Sequence, residues 1–70
     1  MDKEPEWLKR LMAERIEMME RCRKLGAVLQ QGRPEHISVK QWELMREQHE
    51  AMVEYKYALT ARVDLGLRGE

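Results

Sequence analysis

Phenylalanine is absent from the 70 residues, cysteine occurs once, proline twice, and neither sign of charge is in excess. Each shortage excludes something. One thiol, Cys22, cannot close an intrachain disulfide, and with His36 and His49 it does not reach the ligand count or spacing of a structural zinc site. A lone thiol suits a reducing cytosol, the expected location. Thirteen basic residues are cancelled by thirteen acidic ones, so the basic excess that drives generic nucleic-acid binding is missing. No apolar run approaches the roughly 20 residues of a membrane span. The charged, acidic N-terminus does not have the form of a signal peptide. There is no phosphate-binding glycine loop, no zinc motif and no serine-triad pattern, so neither an enzyme nor a cofactor or metal is expected.

Strong helix formers with helical periodicity are abundant instead. The first helix is expected over about residues 5–31, with Pro5 at its first position and Glu4 and Glu6 complementing the positive end of the helix dipole. Glu6–Arg10, Glu17–Arg21 and Glu20–Lys24 are acid–base pairs four apart in the favourable order. Gly26, inside this helix, marks either close helix contact or fraying. The chain breaks at Gly32-Arg33-Pro34, where glycine can take a left-handed cap and proline cannot continue a helix. Ser38 then opens a second helix over about residues 39–65: its hydroxyl can cap Gln41, and Ile37 can staple onto Trp42. Gly66 is expected to stop it, leaving a loose tail, 66–70. A loop over 32–38 makes the helices antiparallel neighbours in a single domain, 1–70.

Heptads marked from Leu8 give an inward row of Leu8, Leu11, Arg15, Met18, Cys22, Leu25 and Leu29. The second helix gives Trp42, Met45, His49, Met52, Lys56, Leu59 and Val63. Each row is apolar apart from polar insertions, among them one strong cation, Arg15 or Lys56. Further apolar residues lie off these rows: Met12, Ile16, Met19 and Val28 on the first helix, and Leu44, Ala51, Ala58 and Leu65 on the second. One seam between two helices needs only one narrow stripe. Two helices also cannot surround their own apolar groups. The expected fold is therefore all-α, an antiparallel two-helix hairpin assembling into a homo-oligomeric helical bundle. Met-rich faces pack adaptably, which suits such interfaces.

Gln48, Tyr55 and Arg62 share one heptad position, interleaved with the small Ala51 and Ala58. An amide, a phenol and a guanidinium in line can hydrogen-bond a base, stack on a ring and grip a phosphate. The alternative is the polar rim of a helix interface. Arg15, in the inward row, must meet either a partner carboxylate or a ligand anion, because an unpaired buried charge is expensive. Arg21, Arg23 and Lys24 form a basic cluster that usually is only a solvated face. His49 and Cys22 fit packed seam residues better than an acid, base or nucleophile. Trp7 and Trp42 are expected at opposite ends of the hairpin as plugs or anchors.

From Ser38 to Leu67 the chain resembles a family of small phage and prophage proteins, relatives of a crAss-like phage protein. The resemblance rests on Leu44-Met45 followed by Glu47-Gln48, Ala51-Met52, Tyr55, Leu59 and Arg62; Met45 replaces a leucine. Helix one matches in character only. The family's shared polar positions fall on Gln48, Tyr55 and Arg62. The resemblance implies a phage protein acting in the host cytoplasm. In size and helical-hairpin character the chain is similar to the phage anti-defence sponges that counter CBASS and Thoeris by soaking up nucleotide signals, an analogy of fold and context. It implies an oligomeric sponge for a cyclic nucleotide or ADP-ribose-type signal, with Arg15, Gln48, Tyr55 and Arg62 as ligand-binding residues and self as partner. The rivals are a module that binds and inhibits or redirects a host protein and an RNA-binding four-helix dimer, which the even charge balance disfavours.

Overall fold

The computed structural model describes residues 4–70 and contains two helices, α1 (Glu6–Gln30) and α2 (Val39–Leu67), with no strand among the described residues. Pro5 stands one position earlier in its helix than expected. It is the extended N-cap (φ −62°, ψ 154°), and its carbonyl accepts from the amides of Leu8 and Lys9. α1 ends through the amides of Gln31 and Gly32 donating to the carbonyls of Val28 and Leu29, and Gly32 takes the left-handed conformation at φ +92°. In the loop, Arg33 donates to the carbonyl of Ile37 at 2.6 Å, holding the turn closed.

Ser38 caps α2 as expected, its hydroxyl accepting from the Gln41 amide at 3.1 Å. Ile37 and Trp42 on either side are both half-buried. Removing the cap leaves one amide of the first turn without its acceptor. Ser38→Ala is therefore expected to lower stability by about 1 kcal/mol, read from denaturant midpoints, with Ser38→Asp retaining most of it.

The far end of α2 departs from expectation. Gly66 does not stop the helix, which runs to Leu67. The stop is Gly69, left-handed at φ +88°, with the Gly69 amide donating to Gly66 and the Glu70 amide to Leu65 at 2.8 Å. That pair of bonds is the Schellman arrangement, so the tail is tied to the helix rather than loose. Gly66 serves packing: a Cβ there would lie 2.6 Å from Leu8 Cδ1 and 3.1 Å from the Trp7 ring. Gly26 serves the same purpose near the loop, where a Cβ would stand 2.9 Å from His49 Nε2. Close contact, not fraying, explains it.

All fourteen residues of the two inward rows are buried or half-buried. The deepest part, Leu8, Leu11, Leu59 and Val63 with Met12 and Met18 against it, lies toward the open end of the hairpin. Nearer the loop the seam holds Cys22, whose Sγ is 3.7 Å from His49 Nε2. The molecule measures 54 × 17 × 15 Å. Helices about 10–12 Å across fill that cross-section with two rods and leave no third layer. The outer apolar residues are accordingly exposed: Ile16 by 63%, Leu44 by 58% and Leu65 by 43%.

Among the acid–base pairs, Glu20 meets Arg23, three residues on, rather than Lys24, and Arg68 meets Asp64. Both pairs are exposed and contribute little stability. No helix among the described residues is long and apolar enough to cross a membrane.

Candidate functional site

Gln48, Tyr55 and Arg62 all lie on the exposed surface of α2. Successive members are seven residues apart, so about 21 Å of helix separates Gln48 from Arg62. One hairpin thus presents them as a long stripe and does not gather them around a point. Tyr55 alone of the three reaches across to α1, its hydroxyl donating to the Glu14 carboxylate. With Glu14, Glu17, Met18 and Arg21 it lines a shallow cleft of about 240 Å³.

Arg21, read in the sequence as part of a basic cluster, therefore stands beside Tyr55. Its charge is outweighed there by Glu14 and Glu17. An anion entering this cleft in a single hairpin meets more negative than positive charge. Arg62 forms no ion pair among the described residues, which leaves its guanidinium available.

Arg15 is half-buried in the seam, and its Nε is enclosed without a hydrogen-bond partner. The sequence required this guanidinium to find an acid or an anion, and within one hairpin the buried nitrogen finds neither. The contacts of Glu14 with Tyr55 and Cys22 with His49 set the register of the two helices, and by that register Arg15 and Lys56 stand at the same level. Lys56 is half-buried too, and its Nζ lies 5.5 Å from the centroid of the Tyr57 ring, a cation–π contact. Two cations thus interrupt the middle of an otherwise apolar seam.

A larger open groove, about 920 Å³, follows the loop-proximal half of the hairpin, with Cys22, Gly26, Trp42, Arg46, His49 and Lys56 among its lining. Arg23 and Glu20 also border it. Their hydrogen bond holds the Glu20 carboxyl below its ordinary range and raises the Arg23 guanidinium. Arg23 is thereby occupied, and Arg46 and Lys56 are the groove's other cations, with the Glu50 carboxylate also in its lining. Sequence reasoning passed over Arg46. Its position at the edge of the row Trp42, His49, Lys56 is the signal that would have found it. None of Arg15, Gln48, Tyr55 and Arg62 lines this groove. No group of three or more His, Cys, Asp or Glu side chains able to hold a metal ion occurs among the described residues.

Among the described residues these surfaces present cations (Arg15, Arg46, Lys56 and Arg62) and an aromatic ring (Tyr55). No curated protein and no solved structure matches the chain. A family model does, over residues 5–65, which takes in α1, the loop and nearly all of α2. Its description is Sequestin, a name that suggests a sequestering role. The chain belongs to the Sequestin family.

Proposed function

We propose that this protein is a homo-oligomeric sponge that binds and holds a small anionic, nucleotide-like signal at subunit boundaries, without catalysis. The observation that carries this reading is membership, across both helices, of a family named for sequestration. The chemistry supports it. Arg62 and Arg15 meet phosphate, Tyr55 stacks on a base, and Gln48 reads a polar edge. A sponge needs only an enclosed site with cations and a stacking ring. The exposed row and the unpartnered Arg15 Nε supply those groups once subunits close over them. In this reading the chain is a phage's counter to a bacterial immune signal, a cyclic nucleotide or ADP-ribose derivative, acting in the host cytoplasm.

Calorimetry with cyclic dinucleotides, cyclic trinucleotides and ADP-ribose derivatives tests it. At least one is expected to bind, and Arg62→Ala to weaken that binding about tenfold or more, the worth of one charge-assisted contact. Absence of heat across the panel removes the reading. The exposed Ile16, at 63%, and Met19, at 44%, favour a second reading, docking on a host protein. A specific partner from host lysate, with no small-molecule binding, would put that reading first.

A further inference from the structure

The open groove in the loop-proximal half of the hairpin follows from small residues on α1. Cys22 is the smallest member of its inward row, and Gly26 and Ala27 beside it carry no long side chain. Opposite them α2 sets Trp42, Arg46, His49 and Lys56. His49 is seated against α1: its Nε2 lies 3.7 Å from Cys22 Sγ, and a Cβ at Gly26 would stand 2.9 Å from the same atom. Glycine is unfavourable inside a helix, so Gly26 gives up helix stability for that approach. The floor of the groove is thus fixed by contacts made within one hairpin. The space, about 920 Å³, falls in the range of small-molecule sites, roughly 300–1,000 Å³.

Three kinds of chemistry lie along it. Trp42, half-buried, lines the loop end, and Arg46 and Glu50, both exposed, follow at successive turns of α2, about 6 Å apart. An indole stacks on a planar base, a guanidinium grips phosphate, and a carboxylate accepts from ribose hydroxyls. A bare anion would use the cations alone and be opposed by Glu50. A nucleotide uses all three. Charge favours this groove over the Tyr55 cleft. Glu20 and Arg23 neutralise each other, which leaves Arg46 and Lys56 against Glu50. Neither of these cations forms an ion pair among the described residues. In the Tyr55 cleft one arginine, Arg21, faces Glu14 and Glu17.

We infer that this groove is a nucleotide-binding site built within a single hairpin, separate from the row of Gln48, Tyr55 and Arg62. Trp42 carries the base, Arg46 takes phosphate, Glu50 accepts from the sugar, and Lys56 meets a further charged group at the far end. The inference rests on the sponge reading for the class of ligand and adds a site that needs no second subunit. Each chain therefore holds a nucleotide of its own there.

The probe is ADP, which carries a base, a ribose diol and phosphates. Binding is read from Trp42 emission in full-length Trp7→Phe protein, where Trp42 is the remaining indole. Saturable quenching by ADP is expected, with adenosine and pyrophosphate each about tenfold weaker or more, since each lacks one part of the ligand. Two further changes are made in this background. Arg46→Glu reverses the phosphate contact, and Ala27→Leu fills the groove from the α1 side. Both positions are exposed, so neither change removes core packing. Each is expected to raise the ADP dissociation constant about tenfold or more.

Absence of saturable quenching by ADP at millimolar concentration overturns the inference. So does an unchanged dissociation constant in both variants, or pyrophosphate binding as tightly as ADP, which would mark a bare anion site. The sponge reading is separable from this one. ADP quenching with no immune signal bound in the calorimetric panel upholds the groove and sinks the sponge. A signal that binds while Trp42 emission stays unmoved upholds the sponge and overturns the groove.

Discussion

Leu59→Ala is expected to cost about 2–5 kcal/mol of stability. Leu59 and Leu8 are each only 1% exposed, and with Leu11 and Val63 they make up the buried cluster. A cavity there cannot be closed by a third layer, because the cross-section holds only two helices. The surrounding helices can collapse on it only by sliding, and Gly66 already seats Leu8 and Trp7 at the limit of approach. Small domains have about 5–15 kcal/mol in all, so the variant should be largely unfolded at modest denaturant. Denaturation must be compared at matched protein concentration, since association adds to apparent stability. A loss below about 1 kcal/mol would show that Leu59 is not at the centre of the seam.

Arg15→Met is expected to act in the opposite direction. The guanidinium Nε sits in the seam with no partner, so the folded hairpin bears its desolvation without a compensating bond. Methionine keeps a flexible stem of similar reach and removes the charge, and its sulfur is at home among Met12, Met18 and the other seam residues. Replacing a half-buried side chain whose Nε is enclosed without a partner by an apolar one should raise stability by about 1 kcal/mol, the cost of one unsatisfied buried donor. The same change should weaken nucleotide binding by about tenfold or more. Stability up and binding down in one variant is the signature of a residue kept for function at the expense of the fold. A thermal melt and a calorimetric titration read both. A fall in stability would mean that Arg15 pairs with a carboxylate when the subunits assemble, and that its role is structural.

Much of this was legible in the residues because helical periodicity reports which side of a rod is apolar. Both seam rows, the Ser38 cap and the Gly32 break follow from one-dimensional rules, and the structure places them as those rules require. Gly66 was misread for a physical reason. A glycine near a helix end is consistent with a stop and with a close approach, and only the neighbouring helix, bringing Trp7 and Leu8 against it, separates the two. Glu20 found Arg23 instead of Lys24 because neighbours three and four apart on a helix are nearly equidistant. The candidate row was visible as a line of like spacing, but its separation from the Arg46 and Lys56 groove depends on the register between helices. No single helix pattern encodes that register.

The exposed second stripe of α2 and the unpartnered Arg15 Nε at mid-seam are what the proposed assembly of subunits would cover. Sedimentation velocity of the purified chain at low micromolar concentration measures this directly. A dimer or larger particle that retains full helicity is the expected result. A well-folded monomer with nothing bound, persisting on dilution, would contradict it.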